Sequence, residues 1–394
     1  MPSYSGVWTL TAQYQAIGGQ NWPMAPGAPT SVSATAGDAQ ATVTFVAPTF
    51  TGIPPGITGY LATSTPGSFT ATGASSPLTV TGLSNGTSYT IAVQATNGVQ
   101  YGPAGTSGSV SPVAIRGLFA RGSEINYISI SSTGNAISFG SLSPSMSYFA
   151  GCASSTRGVF AGVYDIPSLM SYVTIATTGN STNFGTLGAV RRNRLAACSN
   201  ETRGLFAGGD TSTGRINNID YITIATTGDS TDFGDLTAVT DALAGCASTT
   251  RGIFGGGESA SNLNVIQYIT IASTGNATDF GDLTLARYEL ASCSSSTRGL
   301  FAGGFGGGYS NVIDYITIAS TGNATDFGDL TVARYGLAGC SSSTRGVFGG
   351  GSTGSNSNVM DYVTIASTGN ATDFGDLLFT QTGVAACSNG HGGL

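Results

Sequence analysis

The sequence predicts an all-β protein in which six four-stranded repeats close into a β-propeller behind a separate N-terminal region. Three observations carry the prediction. The chain repeats itself with a period near 47 residues, in phase with Arg-Gly pairs at Arg116, Arg157, Arg203, Arg251, Arg298 and Arg345 and with cysteines at Cys152, Cys198, Cys246, Cys293, Cys340 and Cys387. Each copy holds four short apolar runs between turn residues, of the type LAGCSS, RGLFAGG, DYITIAS and TDFGDL. The composition, with 60 glycines in 394 residues and only 8% charged residues, favours strands and tight turns over helices.

A four-stranded unit of this length cannot bury its own faces and must stack on its neighbours around a ring, which is the logic of a propeller blade. The phase of the repeat predicts how the ring closes. The strand at Arg116 has no Cys-containing strand before it, and the Cys-containing run 383–388 has no Arg-Gly strand after it. Placing that terminal run in the first blade completes six blades over residues 114–394. The second strand ends in paired glycines, as in Phe206-Ala207-Gly208-Gly209 and Phe301-Ala302-Gly303-Gly304, where crowded backbone and positive φ are expected. This strand resembles the diglycine strand of kelch repeats, with Phe184, Phe233, Phe280, Phe327 and Phe374 in place of the kelch tryptophan.

Residues 27–113 form a second domain. Pro29, the alternating Val43 and Phe45, Tyr60, the stretch from Leu83 to Tyr89, and the alternating Tyr89, Ile91, Val93 and Ala95 resemble a fibronectin type III domain, which implies a β-sandwich with a tyrosine corner. Residues 1–26 hold both tryptophans of the chain, Trp8 and Trp22, together with Tyr14, and are expected to anchor the protein to a partner or to pack on the sandwich. The succession of GVW and NWP elements, a fibronectin-like module, and RGLFAGG and DYITIAST repeats resembles virion structural and tail-fibre proteins of tailed phages of marine bacteria and cyanobacteria. That resemblance implies a location on the virion and partners among other virion proteins.

Little in the chain offers chemistry. All 13 basic residues are arginine, the net charge is −7 and no basic cluster occurs, so nucleic acid is not an expected partner. No apolar run approaches the length of a membrane span, and no signal peptide is read at the N-terminus. The six cysteines recur at one position of successive repeats, too far apart to bridge, and read as small buried thiols. The single histidine, His391, leaves zinc and copper sites without ligands, and no cofactor is expected. The Asp pairs such as Asp279 with Asp282 recur in register as turn residues do, whereas a catalytic pair occurs once. The arginines of the repeated TRG turns read as structural for the same reason.

The loops divide into two sets. Those after strands one and three, SSSTRG and STGNATDFG, barely change between copies, whereas those after strands two and four differ. Loops on a rigid scaffold carry function, so the second set is the expected recognition face. It collects Tyr164, Asp165, Arg191, Arg192, Arg194 and Arg215 from the earlier repeats and Arg287, Tyr288, Tyr309, Arg334 and Tyr335 from the later ones. Aromatic rings stack on sugars or apolar patches, and arginine forks bind carboxylates and hydroxyls. The sequence therefore predicts a non-catalytic virion protein, a tail fibre or appendage that binds a host-surface glycan or protein. The competing expectation is a purely structural virion component whose variable face meets other virion proteins.

Overall fold

The computed structural model describes residues 9–11, 15, 19, 23–53, 56–162, 168–188 and 192–394. It is all-β and built of small antiparallel sheets. The chain divides into two compact units, Met1–Ala114 and Ile115–Leu394. Trp8, Tyr14 and Trp22, the residues expected to anchor the chain, lie outside the described residues.

The N-terminal unit has two sheets. One pairs Thr30–Gly37, Gln40–Val46 and Leu78–Thr81, and the other pairs Thr70–Gly73, Gly59–Thr65, Thr90–Thr96 and Gly105–Thr106. Alternation along Gln40–Val46, Gly59–Thr65 and Thr90–Thr96 buries every second residue, as a strand covered on one face requires. Val43, Phe45, Tyr60, Val80, Ile91 and Val93 from both sheets share one core, with the Phe45 and Tyr60 rings 4.6 Å apart. The Tyr89 hydroxyl accepts the Ser84 amide at 3.0 Å, tying the turn before its strand to the strand itself.

Among its described residues the C-terminal unit holds six sheets of three or four strands in chain order, besides the two-stranded hairpin of Asp210–Thr211 with Gly214–Arg215. The second, third, fourth, fifth and sixth each take four strands from one repeat, beginning at Ala150–Ala153, Ala196–Ser199, Ala244–Ala247, Ala291–Ser294 and Ala338–Ser341. The first sheet is composite. Its inner strand is Ala385–Ser388 from the far end of the chain, paired antiparallel with Arg116–Ser129 so that Cys387 lies opposite Leu118, and Ile137–Met146 completes it. Fourteen extended residues would span roughly 46 Å, yet the Ile130 amide donates to the Ile115 carbonyl at 3.1 Å. The segment therefore doubles back, with Gly122 at φ 61° in the bend, and supplies the second and third strands together.

The same contacts join each sheet to the next, and the sixth to the first. Every fourth-strand Phe carbonyl accepts a glycine amide from the following sheet's TG turn, from Phe139 with Gly179 through to Phe374 with Gly134, at 2.7–2.9 Å. The Arg of every Arg-Gly pair donates from Nη1 to an isoleucine carbonyl of the next sheet at 2.8–3.0 Å, Arg345 reaching Ile130. Each of those guanidiniums also lies 4.2–4.7 Å from the centre of a tyrosine ring in its own sheet. The Asn or Asp of each TGN or TGD turn accepts a fourth-strand amide of the preceding sheet, as Asn323 does from Asp282 and Asn135 from Asp376. The cysteines are unpaired and buried, each Sγ packed against the Arg-Gly glycine of a neighbouring sheet, as Cys198 is against Gly252. Burial pushes the thiols up, Cys246 and Cys387 to about 12, which leaves them protonated and inert.

Candidate functional site

The two sets of loops spend their side chains differently. In the turns after the first and third strands, Arg, Asn and Ser side chains are committed to carbonyls and amides of the neighbouring sheet. The segments after the second and fourth strands also share one backbone plan. Asn193 bridges to Asp210, Asp241 to Glu258, Tyr288 to Phe305 and Tyr335 to Ser352, four copies of the same antiparallel contact. The diglycines make this approach possible. Gly208 and Gly209 stand at φ 62° and 112°, and a Cβ on Gly209 would meet the Asn193 carbonyl at 2.7 Å.

On that shared backbone the chemistry changes from one sector to the next. Around Asp241 it is ionic: Arg215, on the hairpin of Asp210–Thr211 with Gly214–Arg215, pairs with Asp241 at 2.7 Å and with Glu258 at 3.1 Å. Arg194 pairs with Asp241 at 3.3 Å and with Glu289. Burial works against the Arg194 charge, but Glu289 and Asp241 outweigh it and hold its pKa above the ordinary arginine value.

One sector further on, the bridge is aromatic. Phe305 lies under three tyrosines, with ring centres 5.7 Å from Tyr288, 5.7 Å from Tyr309 and 6.0 Å from Tyr335. Tyr309 and Tyr335 are parallel within 6° at 5.6 Å. Tyr309 is 44% exposed, so part of the stack is open to solvent. Burial, followed by the Glu289 carboxylate, raises the pKa of both Tyr288 and Tyr335.

Three residues expected on this face are not on it. Arg192, Arg287 and Arg334 are at most 2% exposed, and each extends inward to a buried aspartate of the next sheet: Asp220, Asp314 at 2.8 Å and Asp361 at 2.7 Å. Each also donates to a second-strand carbonyl, Arg287 to that of Phe301 at 3.1 Å and Arg334 to that of Phe348 at 3.1 Å. Burial lowers the pKa of all three arginines and raises that of Asp220 and Asp361. Enclosed in this way, they cannot touch a macromolecular ligand. Tyr164, Asp165 and Arg191 lie outside the described residues.

A signal for these pairs was present in the repeat. Where the arginine position holds Thr240, the aspartate position holds Gln267; Met146 is matched by Ser171 and Gln381 by Asn126. Gln267 and Asn126 accept amides from the preceding segment, those of Thr237 at 2.8 Å and Leu378 at 3.0 Å. Arginine thus occurs only opposite aspartate, the mark of a buried pair exchanged as a unit.

Sequence reasoning also missed two cavities. One, of about 140 Å³, is lined by the inner strands of all six sheets and by His391. The histidine donates from Nε2 to the Ala153 carbonyl at 2.9 Å and accepts the Gly393 amide on Nδ1 at 3.1 Å, which folds the C-terminal glycines onto the ends of the inner strands. The other, of about 70 Å³, is bordered by the six segments that link one sheet to the next, and among its lining residues are Tyr148, Arg194 and Glu289. No protein-family model matches the chain, and no curated protein matches it.

Proposed function

We propose that residues 115–394 form a closed six-bladed propeller, kelch-like in its diglycine strands, that works as a non-catalytic recognition module. Closure is supported by the inter-sheet bonds that run from the sixth sheet to the first and by the C-terminal strand inside the first sheet. The N-terminal unit, with its three-stranded and four-stranded sheets and the Tyr89 corner, is read as a fibronectin type III-like sandwich. The whole is read as a virion protein, a tail fibre or appendage that carries its recognition face on the propeller.

The observation that carries the recognition reading is the aromatic cluster of Tyr288, Phe305, Tyr309 and Tyr335. A structural role asks an aromatic residue to be buried, and the half-buried Phe305 comes nearer to that than Tyr309; an open tyrosine stacked on a second tyrosine is an arrangement for an incoming sugar ring or apolar patch. The test is adherence of the labelled full-length chain to host cells of tailed phages, beside a variant carrying Tyr309→Ala and Tyr335→Ala. Saturable adherence that the variant loses supports the reading, and a folded wild-type chain that adheres to none of the hosts sinks it.

A second observation favours the structural alternative. Val239, Leu285, Val332 and Leu378 are each more than 40% exposed, one on each of four successive linking segments. A repeated apolar rim suits a broad protein contact within the particle better than a glycan. Particles whose assembly fails with Leu285→Ser and Val332→Ser, while host adherence of the free chain is unchanged, would favour this reading.

A further inference from the structure

The inner strands of the six sheets surround a cavity whose two ends are built differently. At the ends where these strands begin, Phe149, Leu195, Leu243, Leu290, Leu337 and Val384 form an apolar collar, and all six line both the 140 Å³ and the 70 Å³ space. At the ends where the strands finish, the lining is polar. Ser199, Ser294, Ser341 and Ser388 each donate from Oγ to the carbonyl of the equivalent residue in the preceding sheet, at 2.7–2.8 Å. Residues 389–394 lie on this polar end.

Their contacts reach from sheet to sheet. Asn389 Oδ1 accepts the Arg116 amide of the first sheet at 2.8 Å. His391 Nε2 donates to the Ala153 carbonyl of the second sheet at 2.9 Å and stands 3.3 Å from Ser199 Oγ of the third. The Gly392 amide donates to the Ser294 carbonyl of the fifth at 3.0 Å. Two positions admit no side chain: a Cβ on Gly392 would stand 2.0 Å from the Ser295 carbonyl oxygen, and one on Gly393 would stand 1.9 Å from that of Ser199. A solvated connector has no use for two such positions, whereas a segment fitted closely across the strand ends requires them.

The histidine makes this fit depend on one proton. Its Nδ1 accepts the Gly393 amide at 3.1 Å while Nε2 donates, so the docked ring is the neutral imidazole with its hydrogen on Nε2. A second proton has only Nδ1 to occupy, where it meets the N–H of Gly393, donor against donor. It also places a charge in a buried site. The charged group acting on the ring from the packed sheets is the Glu201 carboxylate of the third sheet, itself bonded to Ser155 of the second, and it does not outweigh burial. Arg116, on the strand beside Asn389, turns its guanidinium to the Ile175 and Ala176 carbonyls, and burial keeps the Cys152 and Cys198 thiols protonated. The arginine-to-carbonyl and glycine-to-carbonyl bonds that join the sheets contain no group that titrates near pH 6.

We propose that residues 389–394 are a proton-released plug: with His391 neutral they close the polar end of the inner-strand cavity, and protonation of Nδ1 undocks them while the six sheets stay joined. The plug does not rest on the recognition reading and uses none of its residues. The test is NMR of the full-length chain, whose single histidine gives one imidazole signal to follow with pH. Amide hydrogen exchange of Gly392 and Gly393 is measured on the same samples, with amides of Arg251–Gly255 as the control for the sheets. The His391 midpoint is expected below 6.5. Protection of Gly392 and Gly393, corrected for the intrinsic pH dependence of exchange, should fall at least threefold from pH 7.5 to 5.5 with the control unchanged. One proton with a free midpoint near 6.5 allows at most about tenfold over that range. His391→Gln, which keeps a donor for Ala153 and does not titrate, should remove the pH dependence. Gly393→Ala should lose at least tenfold in Gly392 protection already at pH 7.5 and bring the His391 midpoint to about 6.5. A wild-type midpoint at or above 6.5, or protection unchanged once the ring is protonated, overturns the plug. So does loss of protection in step with the control, which would be loosening of the whole unit, or full protection in Gly393→Ala. PH dependence retained in His391→Gln overturns the part given to the histidine.

Discussion

The two faces of the C-terminal unit teach different lessons about repetition. In the turns after the first and third strands the backbone and the side chains both repeat, because Arg there holds the next sheet and Asn and Gly hold the preceding one. In the segments after the second and fourth strands only the backbone repeats. The same bridge carries Asp241 with Glu258 in one copy and Tyr288 with Phe305 in the next. Where identity of side chains is needed for joining sheets, copies stay alike; where backbone bonds alone do the joining, side chains are free to specialise.

The buried arginines cross that division and give the sharpest test of it. Removing one member of a buried ion pair typically costs about 3–5 kcal/mol, because its partner stays charged and uncompensated. Arg287→Thr is expected to lose that amount in urea unfolding. Arg287→Thr with Asp314→Gln, which installs the neutral Thr240 and Gln267 arrangement of the preceding copy, is expected to recover most of it. Equal losses in the single and double variants would mean the pairs are not interchangeable units.

The joining face predicts the next largest effect. A Cβ on Gly281 would stand 2.5 Å from the Gly322 carbonyl group of the following sheet, at φ 144°. Gly281→Ala should therefore cost about 1–3 kcal/mol, the range for overpacking, and Gly307→Ala, in the variable loop of the fifth sheet with nothing within 4 Å, should cost less. The reverse order in thermal unfolding would break the comparison.

A smaller effect belongs to the one histidine. Burial, against the opposing pull of the Ala153 carbonyl and the Glu201 carboxylate, holds the His391 pKa below 6.5. The unfolded chain then binds the proton more readily, so this contribution to stability is full above pH 6.5 and is lost as the pH falls through that value. The wild-type urea midpoint should drop between pH 7.5 and 5.5, and His391→Gln should flatten the change. A wild-type midpoint that does not move would remove the histidine from the account. The smallest effect on stability is expected for Tyr309→Ala, within about 0.5 kcal/mol as for most exposed positions, although it is the change expected to weaken binding most.

The repeat made most of this architecture legible. Strand runs, diglycines, structural TRG arginines and buried cysteines follow from residues that recur in register, since recurrence reports a backbone role. The candidate site was legible only in part. Tyr288, Tyr309 and Tyr335 come together because they sit on adjacent copies of one bridge, which the loop comparison could find. Arg287 and Arg334 were misplaced because a charged residue in a variable loop was expected to face water. Their depth is visible only through the matching aspartates some 27 residues later. Glu289 was passed over because it occurs once and belongs to no motif. The fold alone brings it to Arg194, two repeats earlier.

The inner strand of the first sheet carries one more consequence. Because Ala385–Ser388 must cover Leu118 and Phe119, the sheet of the C-terminal unit that is first to leave the ribosome is the last to be completed. Until then, the apolar edges of the first and sixth sheets are both uncovered. A chain interrupted anywhere before Ser388 keeps them so, however many of its other sheets have formed. Full-length synthesis is thus written into the packing, and a truncated copy exposes itself to proteases and chaperones by the surface it cannot hide.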